Sequence, residues 1–423
     1  MADIAVIGTG YVGLTTGAYL AHLGHSVVCA DVVPEKVELL NRGEVPIHEA
    51  GLDEMVAAGI AAGRLSFVLG AVTAAAEAEF VFLCLPTPQG EDGSADLSYV
   101  EGVAREIGPH LRPESIVVNK STVPVGSNLR VSALLNRDDV DVVSNPEFLR
   151  EGQALQDSLN PDRIVIGAHD QEAAMRLAEL YESLHAPVVI TDPASAETIK
   201  YAANAFLAAK VSFINAVAHF CELVGADIKD VALGMGHDKR IGFEFLRPGP
   251  GWGGSCFPKD SRALIHMAED RGYPFDLLRG VVAVNDEQYE RVAEKIAFAA
   301  GGSLEGKTIA VWGLTFKART DDTRESPSLF IIDRLRTRGA TVQAFDPMVR
   351  RQLEGVTVCD DAYAATEGAS ALAVLTEWEE FRFLDMAKVR SLMTSANIVD
   401  ARNLLDPAAV RRHGFTYDGI GRL

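Results

Sequence analysis

The amino-terminal end of the chain carries the pattern that most restricts its fold. An apolar strand is predicted over residues 3–8, and it runs into a glycine-rich turn with the sequence Gly8-Thr9-Gly10-Tyr11-Val12-Gly13. A helix rich in alanine and leucine follows over residues 11–23, and a second strand over residues 26–30 ends at Asp31. The order strand, G-x-G-x-x-G turn, helix, strand is typical of dinucleotide-binding α/β units.

The residue types of this turn fit a bound pyrophosphate. Gly8, Gly10 and Gly13 permit a tight turn, close approach of the backbone to phosphate, and tight helix–strand packing. Asp31 stands where a carboxylate accepts hydrogen bonds from ribose hydroxyls, and Val32-Val33 supplies no arginine for a 2′-phosphate. We therefore predict NAD rather than NADP as cofactor; the alternative is a glycine turn that binds no nucleotide.

Composition and charge exclude several classes of partner. A chain of 423 residues is long enough for two or three domains, and 48% hydrophobic with 23% charged residues is ordinary for a globular protein. The net charge of −20 disfavours nucleic acid and anionic membranes as partners, although an anionic small substrate needs only a local basic site. We expect no signal peptide and no apolar run of transmembrane length.

The cysteines indicate the compartment. All five, at positions 29, 84, 221, 256 and 359, are scattered and form no C-x-x-C spacing. Cys29 and Cys84 lie in apolar strand patterns and are expected in the core. We therefore expect a reduced, cytoplasmic protein, and we predict no metal site.

The first 190 residues continue as alternating helices and strands. Further strands are predicted over residues 79–85, 115–119, 140–144, 164–167 and 188–190. Thr87, Thr122 and Glu147 follow the carboxyl ends of three of them. Because ligands bind beyond the carboxyl ends of strands in open α/β sheets, these side chains are candidate site residues.

The pattern then changes to long helices and back again. One helix is predicted over residues 195–223, where Lys200 and Asn204 are four apart and share a face, and others over 258–271 and 275–300. A second α/β unit, without a full G-x-G-x-x-G, starts at Lys307. The expected fold is α/β, with two Rossmann-like doubly wound units joined by a central helical region with one long helix. The expected domains are 1–196, which carries the NAD site, 197–300, which is helical, and 301–423, the second α/β unit.

A glycine-rich stretch over residues 251–260 delivers Cys256 to the predicted start of a helix. Pro258 suits a first helical turn, and Asp260 lies one turn beyond the cysteine. Helix N-terminal N–H groups favour a thiolate, so Cys256 is a candidate nucleophile. The alternatives are a buried structural cysteine for Cys256, a surface charge for Asp260 and a solvated charge for Lys200.

Together these motifs resemble the UDP-glucose/GDP-mannose dehydrogenase family over nearly the whole chain. The resemblance rests on residues 8–14, Lys120-Ser121-Thr122-Val123-Pro124, residues 145–152, residues 200–206, the cysteine stretch, Phe316-Lys317 and residues 322–326. The family oxidises a primary alcohol to a carboxylate in two steps with two NAD. The resemblance thus implies a sugar nucleotide substrate, with UDP-glucose first among the candidates.

The resemblance also implies catalytic roles. Cys256 would form a thiohemiacetal and then a thioester, while Lys200 and Asn204 would stabilise a developing alkoxide. Glu147 would activate the water that hydrolyses the thioester. Asp260 and Thr122 would hold that water and assist proton transfer.

Binding roles follow from the same resemblance. The cofactor contacts implied are Gly8, Gly10, Tyr11, Val12, Gly13, Asp31, Lys36, Thr87, Thr122, Glu151 and Arg324. The substrate contacts implied are Phe148, Leu149, Lys200, Asn204, Phe245, Gly249, Gly251, Lys317 and Arg402. Arg240 would reach the neighbouring subunit's site in a homodimer that has the long helix at its interface. For Arg324 and Arg402, surface salt bridges are the alternative.

Other functions stay open at this point. The stiff, basic run Arg247-Pro248-Gly249-Pro250 leaves TDP-glucose, GDP-mannose and UDP-N-acetylhexosamine as alternative substrates. A β-hydroxyacid dehydrogenase would use a lysine without an essential cysteine, so Cys256 argues against it. A non-enzymatic NAD-binding regulator would be expected to lose part of the catalytic set, which is intact here.

Overall fold

A computed structural model describes residues 1–90 and 93–422. The chain forms two compact units. The first unit contains Met1–Ala203 and Arg262–Gly272, and the second contains Asn204–Ser261 and Tyr273–Leu423. Residue 423, the last of the third predicted domain, lies outside the described residues.

Strands and helices alternate through both units. The strands are β1 (Asp3–Ile7), β2 (Ser26–Asp31), β3 (Leu65–Leu69), β4 (Phe80–Leu83), β5 (Ile116–Asn119), β6 (Asp141–Ser144), β7 (Ile164–Gly167), β8 (Val188–Thr191), β9 (Thr308–Trp312), β10 (Thr341–Phe345), β11 (Thr357–Val358), β12 (Ala371–Val374), β13 (Asn397–Asp400) and β14 (Thr416–Gly419). The helices are α1 (Tyr11–His22), α2 (Pro34–Asn41), α3 (Leu52–Ala61), α4 (Ala71–Ala75), α5 (Ser98–Ile107), α6 (Ser127–Leu135), α7 (Ala154–Leu159), α8 (Gln171–Glu179), α9 (Pro193–Val224), α10 (Ile228–Gly236), α11 (Phe257–Glu269), α12 (Asp276–Ala299), α13 (Pro327–Thr337), α14 (Met386–Leu392) and α15 (Pro407–Arg412).

The first unit is built on an eight-stranded sheet with the order β3-β2-β1-β4-β5-β6-β7-β8. The first six strands in this order, β3-β2-β1-β4-β5-β6, are parallel to one another. In the central strand β1, Ile4 lies opposite Val27 of β2 and Phe80 of β4. Strand β7 pairs antiparallel with β6, and β8 runs parallel to β7. The strand order reverses between β1 and β4, so the ligand crevice of this unit is expected at their carboxyl ends.

The glycine turn shows why its residue types are required. Gly8 has a φ of 97°, a left-handed conformation that favours glycine. A Cβ atom at Gly13 would lie 1.9 Å from the carbonyl oxygen of Gly8, so α1 packs against the turn only without a side chain there. A Cβ at Gly10 would meet nothing within 4 Å, which leaves open space over the N-terminus of α1.

The second unit is built on a six-stranded sheet with the order β11-β10-β9-β12-β13-β14, in which all pairs are parallel. Trp312 at the end of β9 is fully buried and stacks on Phe381 at 5.1 Å between ring centroids. The expected fold class is confirmed: two Rossmann-like sheets are joined along the chain by a central helical region with one long helix.

The long helix α9 corrects one expectation from the sequence. It spans 32 residues, and its length and composition would allow it to cross a membrane. Of its most apolar 18-residue segment, 33% is buried inside the protein. The expectation of no such apolar run was therefore wrong. Part of the apolar surface is a stripe of exposed aromatic residues at positions 206, 213 and 220, and a single helix of this kind is weak evidence for a membrane span.

The glycine turn yields a paired stability test. We expect Gly13→Ala to lower the free energy of unfolding by about 1–3 kcal/mol, because its methyl group collides with the Gly8 carbonyl. Gly10→Ala is the matched control, with a loss below about 1 kcal/mol, because its methyl group has room. Urea unfolding followed by far-UV circular dichroism measures both; equal losses would contradict the packing explanation.

Candidate active site

Asp31 closes the cofactor turn of the first unit. Its carboxylate accepts hydrogen bonds from the Thr9 N–H (3.2 Å), the Thr9 hydroxyl and Lys36 Nζ (3.0 Å), and from the N–H groups of Val32 and Val33. Burial would raise the pKa of Asp31, but these hydrogen bonds and the Lys36 charge outweigh it and bring the pKa to about 2. The group is therefore a carboxylate at neutral pH.

These residues fit a bound dinucleotide. The open space at Gly10 and the N-terminus of α1 suit a pyrophosphate, and the carboxylate of Asp31 can accept from ribose hydroxyls. Val12 is half-buried in the first turn of α1. Lys36, predicted as a cofactor contact, forms an ion pair with Asp31.

Tyr11 ties the cofactor turn to the loop that carries Glu151. Its hydroxyl donates to the carboxylate of Glu49, which is 6% exposed, and accepts a hydrogen bond from the Gly152 N–H at 2.6 Å. Burial, aided by Glu49, raises the pKa of Tyr11, so the hydroxyl stays protonated. Tyr11 therefore holds the residue next to Glu151 in place.

Thr87 and Thr122 meet at the carboxyl edge of the first sheet, as their positions after β4 and β5 predict. The Thr87 hydroxyl donates to the carbonyl oxygen of Thr122 at 2.9 Å. Thr87 is buried, whereas Thr122 is half-buried. The pair brings two of the sequence-predicted cofactor contacts together.

Glu147 and Lys200 form a buried ion pair in the first unit. Lys200 Nζ donates to Glu147 Oε1 at 2.8 Å, and the two side chains are 4% and 7% exposed. The second carboxylate oxygen of Glu147 accepts from the Leu149 N–H at 2.6 Å. Lys200 is therefore not a solvated surface charge, which was the alternative interpretation of its position on a helix.

The charge state of Glu147 follows from this environment. Burial alone would raise the pKa of its carboxyl group, but the charge and hydrogen bond of Lys200, the Leu149 N–H and the charge of Lys120 outweigh burial. The pKa of Glu147 consequently lies below its ordinary value. Glu147 is ionised near neutral pH and can accept a proton.

The orientation of Lys200 is set one turn earlier on α9. The carboxylate of Glu197 accepts from the N–H groups of Gly126 (2.7 Å) and Asn128 (2.9 Å) at the start of α6, and from the Ser144 hydroxyl at 3.1 Å. Carboxylates are stabilised at helix N-termini, so this contact fixes the rotation of α9 about its axis.

Cys256 lies directly before α11 in the second unit, as the sequence predicts. The side chain is half-buried, and its sulfur lies 3.6 Å from the Ser255 hydroxyl oxygen. The Cys256 carbonyl accepts the first helical hydrogen bond, from the Asp260 N–H at 2.8 Å. The preceding Gly254 has a φ of 84°, and the Phe316 ring leaves no space for a Cβ there.

Asp260 is buried rather than on the helix surface. It is 1% exposed, and its carboxylate accepts hydrogen bonds from Asn204 Nδ2 and from Lys259 Nζ, both at 2.6 Å. Asn204 is itself 7% exposed. The second unit thus places two predicted catalytic side chains in contact, one turn after Cys256.

The predicted substrate loop is held from both sides in the second unit. The Gly249 N–H donates to Asn215 Oδ1 and its carbonyl accepts from Gln288 Nε2, each at 2.8 Å. A Cβ at Gly249 would lie 3.5 Å from an Arg402 nitrogen. Phe245 has a positive φ of 63°, and Gly251 has one of 120°.

Arg402 is more than a surface salt bridge. It pairs with Glu377 at 3.0 Å, and it also donates to the carbonyl oxygens of Leu375 and Phe316. Lys317 lies 5.4 Å from the centre of the Phe316 ring. Arg402 thus borders the loop that contains Gly249, and Lys317 lies beside Phe316, whose carbonyl oxygen Arg402 contacts.

The remaining predicted contacts are two arginines that pair with nearby aspartates and two half-buried apolar residues. Arg324 pairs with Asp322 at 2.7 Å and Arg240 with Asp238 at 2.6 Å; the Arg240 side chain is 89% exposed. Phe148 and Leu149 are half-buried, and the Phe148 ring lies under the Arg163 guanidinium at 3.6 Å. Residues 1–90 and 93–422 contain no group of three His, Cys, Asp or Glu side chains arranged for a metal ion.

One buried cluster was not predicted. Lys120, 8% exposed, donates to Asn145, which also accepts from Tyr181. The only signal in the sequence is the position of Lys120 and Asn145 immediately after β5 and β6, at the same edge as Thr122 and Glu147.

Comparison with known proteins agrees with these observations. Three sequence profiles of one family match the chain: the UDP-glucose/GDP-mannose dehydrogenase NAD binding domain over residues 2–185, the central domain over 194–287 and the UDP binding domain over 310–407. UDP-glucose 6-dehydrogenase from Rhizobium meliloti is 46% identical over 99% of both chains. The enzyme of that name from Pseudomonas aeruginosa is 47% identical, over 99% of this chain and 97% of its own.

A solved structure gives the same result. The UDP-glucose dehydrogenase of Pyrobaculum islandicum superposes with a TM-score of 0.92 at 38% identity, and the match covers 100% of this chain and 98% of that one. Fold and site define an NAD-dependent oxidoreductase. The chain belongs to the UDP-glucose/GDP-mannose dehydrogenase family.

The environment of Asp31 predicts the cofactor preference. An ionised carboxylate repels a 2′-phosphate, so Asp31→Asn should raise kcat/KM for NADP by about tenfold or more, equivalent to roughly 1.4 kcal/mol. Initial rates with NAD and NADP at saturating sugar nucleotide measure the change. Glu35→Gln, which removes one neighbouring exposed charge, is the control and should leave the NAD:NADP ratio unchanged. Equal NADP use by wild type and Asp31→Asn would contradict the assignment.

Proposed function

We propose that this enzyme oxidises UDP-glucose to UDP-glucuronate in two successive two-electron steps, with a Cys256 thioester as the last covalent intermediate. The observation that carries the mechanism is the half-buried Cys256 directly before α11, with the buried Asn204–Asp260 contact one turn further on. The names of full-length relatives at 46% and 47% identity support the substrate. They do not favour GDP-mannose, TDP-glucose or a UDP-N-acetylhexosamine.

Held at the glycine turn and Asp31, NAD would supply the oxidant, as the hydride acceptor for each of the two oxidations at C6 of the sugar. The residues of the chain handle the protons and the developing charge. In the first step the C6 hydroxyl passes its proton to the water held by Asp260 and Thr122, and loss of a hydride from C6 leaves the aldehyde. Lys200 and Asn204, one turn apart on α9, stabilise the developing alkoxide.

Cys256 then retains the aldehyde. Its thiolate adds to C6 and forms a carbon–sulfur bond, which gives a thiohemiacetal. Removal of the second hydride, with loss of the hydroxyl proton, converts this to a thioester. The helix N-terminus beside Cys256 favours the thiolate that this step requires.

Hydrolysis completes the reaction. Glu147 accepts a proton from water, the water oxygen attacks the thioester carbonyl, and the carbon–sulfur bond breaks to release the carboxylate and the Cys256 thiol. The lowered pKa of Glu147 supports this role, because the group is ionised near neutral pH. Asp260 and Thr122 are proposed to hold the water and to assist proton transfer.

The nucleotide is assigned to the second unit. A family profile described as a UDP binding domain matches residues 310–407. Arg402 and Lys317 supply positive charge for a pyrophosphate, and Phe245, Gly249 and Gly251 are proposed as further substrate contacts. Phe148, Leu149, Lys200 and Asn204 complete the proposed substrate contacts.

The cofactor contacts and the domains keep their sequence-based assignments. Lys36, Glu151, Arg324, Thr87 and Thr122 are proposed to contact NAD, together with the glycine turn and Asp31. The proposed domains are 1–196, 197–300 and 301–423, for NAD, dimerisation and sugar nucleotide respectively. A cytoplasmic location is proposed from the scattered cysteines.

We also propose a homodimer through α9. Phe206, Phe213 and Phe220 are 67%, 56% and 59% exposed and are spaced by seven residues, so they form one stripe along the helix. Such a stripe is favoured in an interface between helices. The exposed Arg240 is proposed to reach the site of the partner subunit.

The function is tested by trapping its covalent intermediate. Glu147→Gln should still form the thioester, because that step needs the thiolate and NAD but no base for water. Hydrolysis then becomes rate-limiting, and a burst of NADH should precede a slow steady state. Mass spectrometry of the quenched variant should find the sugar nucleotide attached to Cys256.

Cys256→Ser is the matched control for this experiment. It should bind NAD nearly as tightly as wild type, yet show neither the burst nor an adduct, because a serine alkoxide is far less accessible near neutral pH. Full activity of Glu147→Gln, or the absence of both adduct and burst, would refute the role of Glu147 and direct attention to Glu151. Near-wild-type turnover by Cys256→Ser would show that Cys256 is structural.

A further inference from the structure

Lys120 is a buried lysine that the proposed reaction does not use. It follows β5, is 8% exposed, and its Nζ donates to Asn145 Oδ1 at 3.0 Å. The same amide oxygen accepts from the Tyr181 hydroxyl at 2.6 Å, and Asn145 Nδ2 donates to the Val165 carbonyl at 2.8 Å. Asn145 is therefore held in one orientation, with its oxygen directed at the lysine.

A polar cavity of about 110 Å³ lies against this cluster within the first unit. Its wall includes Lys120, Asn145, Glu147 and Tyr181, and the exposed residues Asn160 and Asp162 border it as well. A buried water needs roughly 10–15 Å³ and several polar partners, so the cavity has room for several waters. Water in this space would make a charged ammonium tolerable at this depth.

The charges around the cavity act on one another. Burial lowers the pKa of Lys120 to about 8, opposed by the carboxylate of Glu147 and assisted by the like charge of Lys200. Below that pH, Lys120 is an ammonium group. Burial raises the pKa of Cys84 to about 12 despite the nearby charge of Lys120, so Cys84 is a neutral thiol.

Lys120 and Lys200 are the cations that act on Glu147, because the other titratable groups that face the cavity are neutral or engaged with other partners. Burial raises the pKa of both Tyr19 and Tyr181, so their hydroxyls stay neutral. Arg163 lies over the Phe148 ring, and Arg150 pairs with Asp157 at 2.5 Å where these residues border the cavity. The ionised form of Glu147 is thus stabilised by two ammonium groups, and Lys200 is the one in direct contact.

We propose that Lys120 is a positioning residue for the hydrolytic step, whose buried ammonium, held by Asn145 beside the polar cavity, keeps Glu147 ionised as the base. Lys200 contacts Glu147 directly, whereas Lys120 acts through its charge. This role presupposes the proposed function, because it needs Glu147 to be the base for thioester hydrolysis.

The test measures how the hydrolysis rate depends on pH. In purified full-length enzyme with NAD and UDP-glucose, rapid quench separates thioester formation from its breakdown. Loss of the ammonium in Lys120→Met raises the pKa of Glu147, so the acidic limb of the breakdown rate should move up by on the order of one pH unit. Breakdown at higher pH and the rate of thioester formation should stay within about twofold of wild type.

Three further variants separate charge from packing. Lys120→Gln can still donate to Asn145 but is neutral, so it should shift the limb as Lys120→Met does, and it carries the test if the methionine variant fails to fold. Lys120→Arg restores the charge and should return the limb toward its wild-type position. Lys229→Met removes an exposed charge far along the chain and should not move the limb.

The outcomes are distinguishable. A limb that is unmoved in both neutral variants, or a rate that falls equally at every pH, overturns the role of Lys120. Glu147→Gln tests the assignment of Glu147 as the base. In this variant the rate of thioester hydrolysis should have no acidic limb at all. If the limb persists in Glu147→Gln, the proposed function itself fails, whatever the Lys120 variants show.

Discussion

The buried ion pair between Lys200 and Glu147 joins the organisation of the first unit to its chemistry. Removing both charges from water costs several kcal/mol per ion, and the 2.8 Å contact between them offsets that cost only in part. A pair of well-packed apolar side chains would serve stability as well or better. The pair is therefore better explained by chemistry, since it supplies an ionised carboxylate and a fixed cation at the carboxyl edge of the sheet.

Much of the surrounding structure holds this pair in place. Glu147 follows β6 and is fixed by the Leu149 N–H, while Glu197 docks α9 onto the start of α6 one turn before Lys200. The Glu197 contacts join elements more than fifty residues apart in sequence, as the Glu197–Ser144 contact shows. A change at Glu197 would therefore act on the site by rotating Lys200 away from Glu147.

The two Rossmann-like units use the same edge of the sheet differently. In the first, Asp31 lies beside a turn that leads directly into α1, which leaves the helix N-terminus for phosphate. In the second, the fully buried Asp346 accepts from the N–H groups of Leu314 and Thr315, and α13 begins only at Pro327. A carboxylate closes both turns, so the difference is the later start of α13, which agrees with a second unit that binds a nucleotide in another way.

The sequence predicts most of the fold and only part of the site. The turn at Gly8, the strand ends at Thr122 and Glu147 and the helix start at Cys256 are visible locally, because turns, apolar runs and helix starts have local signatures. The reversal of β7 and the exposed stripe on α9 are not, since periodicity does not reveal strand direction or what covers a helix. The burial of Lys120 depends on Asn145 and Tyr181, which lie 25 and 61 residues away in sequence. No local sequence pattern therefore predicts that this lysine is buried.

The central claim is that one cysteine retains the aldehyde until it is oxidised a second time. The most direct measurement is the number of NADH molecules formed per UDP-glucose consumed, with NADH followed by absorbance and the sugar nucleotides quantified by chromatography. A thioester mechanism predicts two NADH for each UDP-glucuronate. One NADH per sugar, with a free aldehyde as product, would contradict it.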